Sequence, residues 1–307
     1  MHLVIPFDAP LSEPGVAALR GLRWSQLQAL LAGRALQRDD GDVYSLSPPH
    51  ERALARARGW AGADGALPLA AAQLAADGGD PGDLAWGLLT PVHWHLGTEQ
   101  VSLTDPATLM LDEAGSRAAF EAVAELFTSE GFVLRWGAPL RWYLAHECLV
   151  DLPTASIDRV IGRNVDRWLP DGPGARLLRR LQNEVQMLLY THPLNDRREA
   201  AGLPTINSVW LSGCGRLPDG AGAAAGVQVD DSLRQPALDE DWAAWCDAWR
   251  ALDAGPIDAL ARAGEPVQLT LCGERLAQTF APATQGLWQR LAGRWQQPSA
   301  TAVLEAL

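Results

Sequence analysis

Lysine is absent from this chain: all 25 basic residues are arginine. No Schiff base can form on a lysine, which excludes pyridoxal and lysine-aldolase chemistry. A P-loop, whose lysine reaches the β- and γ-phosphates, is excluded too, as is a kinase with its strand-borne lysine. Histidine is scarce, with six in 307 residues and none after His192. Cysteine is limited to Cys148, Cys214, Cys246 and Cys272, far apart and without a CxxC pair. That is the pattern of buried, reduced thiols in a cytoplasmic protein. No apolar run is long enough to span a bilayer. Residues 1–10 carry neither the basic nor the long apolar region of a signal peptide.

What is present is acidic and apolar. A net charge of −12 argues against a nucleic-acid binder held by phosphate neutralisation, and against adhesion to an anionic membrane. With 48% hydrophobic and 20% charged residues the chain can bury a sizeable core. One stretch is basic: residues 159–198 hold 8 arginines against 4 acids. A small anionic ligand would be sought there first, although an arginine-rich solvated helix face accounts for the same count. Thirteen tryptophans fit a core, or an exposed patch for a protein partner.

Strand and helix signals alternate. Residues 3–7 read as a short buried strand, and 24–36 as a helix closing near Gly33. Residues 49–76 read as two short helices broken by Gly62, Gly65 and Pro68. The run 77–83, DGGDPGD, is the strongest loop signal and the expected boundary. It separates an N-terminal α/β segment, 1–76, from a main α/β domain, 84–307, unless the whole is a single domain. Residues 112–129 predict an amphipathic helix ended by Gly131, and 132–149 a hairpin turning around Trp136–Pro139. The most regular helix spans about 175–190. Short strands are expected at 206–211, 227–229 and 266–272. Helices are expected at 239–252, with Trp242, Trp245 and Trp249 on one stripe, and around Trp288, Leu291 and Trp295. The fold class is therefore α/β: a mixed sheet flanked by helices, with at least one antiparallel hairpin.

Four constellations carry chemistry. His93 and His95, two apart on a strand, point to one face and suit a divalent metal such as zinc, with a third ligand from Glu99, His146, Glu147 or His192. The alternative is a pair of half-buried, hydrogen-bonded histidines. Next, His192, Asn195, Asp196, Arg197 and Arg198 crowd a helix junction behind Pro193. Their guanidiniums suit a phosphate or carboxylate, although a polar corner held by caps and ion pairs has the same composition. Asn207 and Ser208 open an apolar strand ending in Gly213-Cys214-Gly215, a turn that lets a ligand approach the backbone. Finally, Asp8, Asp230 and Asp231 follow strands, where open α/β sheets place ligands and metals.

The runs 183–189, 192–199 and 207–215, with Pro91–Leu96 and Leu103–Pro106, resemble the proteobacterial RpfE-type regulatory proteins. That family is also described as cofactor-independent phosphoglycerate mutase-like. The resemblance covers about residues 84–215. It implies a scaffold distantly related to alkaline phosphatase. Mutases of that kind use a two-metal centre of several Asp and His ligands and a serine nucleophile. Here Asp8 is followed by Ala9, not serine, and no histidine follows His192.

Two functions fit these residues. One is a cytoplasmic ligand-binding or regulatory protein of the RpfE type, without mutase activity, taking a small anion at His192–Arg198, Asn207 and Ser208. The other is a metal-dependent phosphotransferase or phosphoglycerate mutase-like enzyme acting on a small phosphorylated acid. The sequence leaves open whether the protein is an enzyme.

Overall fold

The computed structural model describes residues 1–98, 100–172, 174–218, 226–263, 266–282 and 299–307. Its strands, in chain order, are β1 His2–Pro6, β2 Arg34–Asp40, β3 Ala85–Val92, β4 Trp94–Leu96, β5 Val101–Leu103, β6 Val133–Ala138, β7 Arg141–Ala145, β8 Ser208–Arg216, β9 Val227–Val229, β10 Gln268–Cys272 and β11 Leu276–Pro282. The chain forms two units. The first comprises Met1–Tyr44, Pro48–Gly59 and Ala224–Leu307; the second comprises Ser45–Ser47 and Trp60–Ala223. The expected boundary at 77–83 does not separate them, because that loop lies inside the second unit. The cause is long-range pairing. β1 runs parallel to β9 and β10, which draws the C-terminal third back onto the N-terminus, and no local composition shift marks such a return.

The first unit is built on a mixed sheet of order β2-β11-β10-β1-β9, with β10, β11 and β2 antiparallel to one another. β1 is a short apolar run because both its faces are covered. Leu3 and Ile5 pack on one side with Trp245 and Trp249 of helix Trp242–Leu252, and Val4 packs on the other against Ala53 of helix Pro49–Ala57. The tryptophan stripe is core, as Trp245 and Trp249 are fully buried and Trp24 meets Trp249 edge-on at 5.0 Å. Pro256 cannot supply an N–H to the helical ladder, and there the helix widens into a π-turn, Asp253–Ile257.

Residues 24–36 are not one helix. The helix covers Gln26–Leu31, Gly33 takes a left-handed φ of 69°, and β2 follows. β2 is an exposed, polar edge strand paired over seven positions with β11, a partner some 240 residues away, so period-2 patterning on its own gave no signal. The expected helix around Trp288, Leu291 and Trp295 falls outside the described residues.

The second unit holds an antiparallel sheet of order β6-β7-β3-β8 and a small pair, β4-β5. The expected hairpin is β6–β7. Along β3 the side chains alternate: Ala85 and Leu89 enter one core and Trp86 the other. Helices Glu113–Thr128 and Ala175–Tyr190 contribute Val123, Phe127, Leu181 and Val185 to the first core. Helix Leu69–Ala76 contributes Ala70, Ala71 and Leu74 to the second. The architecture is thus mixed α/β, with one mixed sheet and antiparallel sheets. Among the described residues no helix is long and apolar enough to cross a membrane.

Candidate functional site

His93 sits between β3 and β4. Its ring Nδ1 lies 2.9 Å from the Thr205 carbonyl oxygen and 3.2 Å from the Thr205 hydroxyl. His95, in β4, is exposed. Glu99, one expected third ligand, lies outside the described residues. The other two histidines of interest serve local structure. His146 Nδ1 accepts from the Cys148 amide while its ring stacks on Phe132 at 4.2 Å. His192 Nδ1 accepts from the Leu194 amide and so caps helix Pro193–Ala200. Among the described residues no group of three or more His, Cys, Asp or Glu is placed to hold a metal ion.

The polar corner around helix Pro193–Ala200 is assembled, and most of its polar atoms are committed to backbone. Asn195 is buried; its Nδ2 donates to the carbonyls of Leu189 and Ile206, both at 2.8 Å, and its Oδ1 accepts from the Ile206 amide at 2.9 Å. One side chain thereby ties the end of one helix to the residues leading into β8. Arg198 is also buried; its Nε donates to Pro204 O and its Nη2 to Leu109 O. Burial lowers its pKa, with Asp112 opposing the shift. Asn207 copies a strand partner: its Oδ1 accepts from Trp94 N at 2.7 Å and its Nδ2 donates to Trp94 O at 2.9 Å. Ser208 is fully buried and accepts from Gln186 Nε2 at 3.2 Å. Asp196, Arg197 and Glu199 are exposed, and His192 and Asn207 are partly so.

Gly213, Cys214 and Gly215 do not form the expected turn: they lie within β8, still paired to β3, and what approaches them is not a ligand. Gly213 has φ 62°, and a Cβ there would lie 3.1 Å from the Leu69 side chain; one on Gly215 would lie 3.1 Å from Pro68 Cα. The glycines make room for the start of helix Leu69–Ala76, so it is this helix that approaches the backbone. Cys214, between them, is fully buried, and burial pushes its thiol up to about 12. A thiol so placed stays protonated and is a poor nucleophile.

In the first unit Asp8 stands just beyond β1, after Phe7 in a left-handed φ of 59°. Its side chain is fully buried, and neither carboxylate oxygen has a hydrogen-bond partner among the described residues. Burial holds its pKa well above the usual carboxylate range. The nearby N–H groups of Cys272 and Asp8 itself pull it back only in part, without forming a bond to it. Asp230 follows β9, beside β1, and accepts from Ser232 N; Asp231 is exposed. An orphaned buried carboxylate is the kind of donor a divalent cation seeks, yet among the described residues it belongs to no group of three or more His, Cys, Asp or Glu that could hold one. They do not fit a two-metal centre.

The raised pKa predicts a pH effect. A folded-state pKa above the unfolded one favours folding below the unfolded value, and that contribution is lost as pH rises through the folded value. Asp8→Asn is therefore expected to gain stability on the wild type as pH rises from about 4 to 8, by about 1–3 kcal/mol, the cost of an uncompensated buried polar group. Urea unfolding at both pH values checks this; equal midpoints for the two proteins at both ends would refute it.

Two arrangements escaped sequence reasoning. Asp253 accepts from Ser25, Gln26 and Leu27, far away in the chain. Asp77, inside the expected boundary loop, accepts from Tyr143 at 2.6 Å and from Arg141 at 2.9 and 3.1 Å. Burial raises the Asp77 pKa, but the bonds from Tyr143 and Gln73 and the Arg141 charge outweigh it, leaving a net lowering. No local signal marks either partner.

With this geometry in hand, similarity to known proteins is partial. No protein-family model matches the chain. Over 59 residues it is 39% identical to a Geobacter sulfurreducens protein named "Probable 2,3-bisphosphoglycerate-independent phosphoglycerate mutase". Over an equal length it is 36% identical to the 2,3-bisphosphoglycerate-independent phosphoglycerate mutase of Methanothrix thermoacetophila. The matched segment spans 19% of this chain and 15% of each relative, so the match covers a small part of their length. Among solved structures, the cofactor-independent phosphoglycerate mutase of Thermoplasma acidophilum aligns over 100% of this chain and 98% of its own, at 13% identity and a TM-score of 0.39. A Pyrococcus horikoshii protein aligns over 91% and 87%, at 12% identity and a TM-score of 0.37. At that level no residue is matched to a residue.

Proposed function

We propose that this protein is phosphoglycerate mutase-like and handles a small phosphorylated acid. The similarity over 59 residues to proteins named as phosphoglycerate mutases carries the reading. The ligand would sit at the corner of helix Pro193–Ala200, with Arg197 and His192 facing it. Asn195, Arg198, Asn207 and Ser208 would hold the frame, since their polar atoms already engage backbone or a neighbouring side chain. Within this reading, binding without turnover, as in an RpfE-type regulatory protein, is one form. Metal-dependent phosphotransfer, the second reading, is favoured by the names of the relatives.

The test is a thermal-shift titration of the metal-free protein with 3-phosphoglycerate, repeated with zinc and with manganese. A ligand at tenfold its Kd adds about 1.4 kcal/mol, or roughly 3–6 °C for units of this size. Arg197→Ala should remove most of that shift. No stabilisation under any condition ends the reading. Mutase turnover that appears with added metal replaces binding by the enzymatic form.

A further inference from the structure

Helix Ala175–Tyr190 turns Leu178, Leu181, Val185 and Leu189 to the core, all of them buried. A second stripe runs along its opposite face. Arg176, Arg180, Asn183, Met187 and Tyr190 follow one another at spacings of 4, 3, 4 and 3 residues, and every one is exposed. That is the spacing of a helix–helix seam, and side chains so placed form one continuous strip. Met187 is 75% and Tyr190 85% exposed, Tyr190 more than any other large apolar side chain among the described residues.

The strip is divided by charge. Its first half carries the cations: Arg176, which pairs with no carboxylate among the described residues, and Arg180, which pairs with Glu130 at 2.6 Å. Its second half carries a thioether and a phenol ring, with Asn183 between the halves. Such a strip complements itself end for end. When two copies cross antiparallel, Arg176 of each lies over Tyr190 of the partner subunit, and the stem of Arg180 covers Met187 of the partner subunit. The arginines of the two copies stay at opposite ends, and the two Asn183 amides, each both donor and acceptor, meet near the axis. The contact is isologous and closes on itself.

Net charge selects the same place. At −12 each, two copies repel over most of their surface. The helix belongs to the basic stretch 159–198, with 8 arginines against 4 acids. An acidic peptide would engage the arginine half alone and offer nothing to Met187 and Tyr190.

We propose that this face joins two copies of the chain, antiparallel about an axis near Asn183. Sixteen residues at about 1.5 Å each give a contact about 24 Å long and about 10 Å wide. That is well below the standard footprint of about 800 Å² per partner, so the pair is weak and reversible. It does not depend on the reading of the corner of helix Pro193–Ala200.

The experiment is sedimentation equilibrium of the full-length protein from about 5 to 500 µM, where a weak pair dissociates on dilution. A monomer–dimer equilibrium is expected. Met187→Arg, which sets like charges against each other across the seam, should weaken it at least about tenfold. Oxidation of cysteine variants reads the orientation. Asn183→Cys should link to its own kind, and Arg176→Cys should link to Tyr190→Cys in a mixture but not to itself. Leu96→Cys, exposed in β4 off the strip, should stay at the background of the wild type, whose Cys148 is half-buried. The proposal is overturned by a monomer at every concentration, or by a dimer that Met187→Arg leaves intact. It is equally overturned if Arg176→Cys links to itself as readily as to Tyr190→Cys, or if Leu96→Cys links as readily as Asn183→Cys. Should Met187→Arg not fold, the cysteine variants decide alone.

Discussion

Replacing Asn195 with alanine is expected to destabilise the second unit by about 2–4 kcal/mol, the cost of stranding several buried backbone groups at once. The amide meets the Leu189 and Ile206 carbonyls and the Ile206 N–H in a site that is only 5% exposed. Alanine leaves the Ile206 N–H with no acceptor and no water to replace it. Asn195→Asp is expected to do no better, because a carboxylate oxygen would then face two carbonyl oxygens. Urea denaturation reads the effect. A shift of the midpoint without any change in ligand affinity assigns Asn195 to the frame of the corner. If Asn195→Ala stays within about 0.5 kcal/mol of the wild type, the usual span of a neutral surface change, the clasp has no energetic weight.

The second large effect lies in the first unit. Helix Gln26–Leu31 begins at Ser25, whose own side chain makes no cap. Its first N–H groups find Asp253 instead, from Ser25 N at 3.2 Å, Gln26 N at 3.3 Å and Leu27 N at 2.7 Å, with Ser25 Oγ at 2.9 Å. A carboxylate at a helix N-terminus also meets the positive end of the helix dipole. Asp253→Ala is expected to cost about 3 kcal/mol, more than an ordinary capping loss of about 1 kcal/mol, because Leu27 is buried and water cannot take over its N–H. Asp253→Asn keeps one acceptor oxygen and should lose about half as much. Thermal unfolding of the three proteins orders them. An order in which asparagine is no better than alanine contradicts the capping account.

The helices that packing and capping define locally were legible. Helix Glu113–Thr128 starts at Asp112, which accepts from Gly115 N, and ends at Gly131 with φ 85°. Both signals are a single residue written in the chain. β2 was hidden because an exposed edge strand needs no alternation of apolar residues. The candidate corner was legible as a density of polar residues, but not as a set of bonds. Asn195 and Arg198 look like ligand-facing groups in sequence, and they turn inward because the carbonyls of Leu109, Leu189, Pro204 and Ile206 need donors where water is excluded.

Composition alone determined what chemistry is out of reach. With no lysine and only six histidines, several catalytic classes cannot be built, whatever the fold. Local order determined the α/β class, since hydrophobic period and turn residues act over a few positions. Tertiary structure decided the rest. Parallel pairing of β1 with β10 joins residues some 266 apart and sets the division into units. Burial decided the state of Asp8, Cys214 and Arg198. The arginine-rich stretch 159–198 was resolved in the same way: Arg159 is buried, Arg180 pairs with Glu130, Arg198 holds two carbonyls, and Arg179 holds the Pro170 carbonyl. The arginines are alike in sequence. What separates them is how much water each can reach and which oxygen the fold places within hydrogen-bond distance.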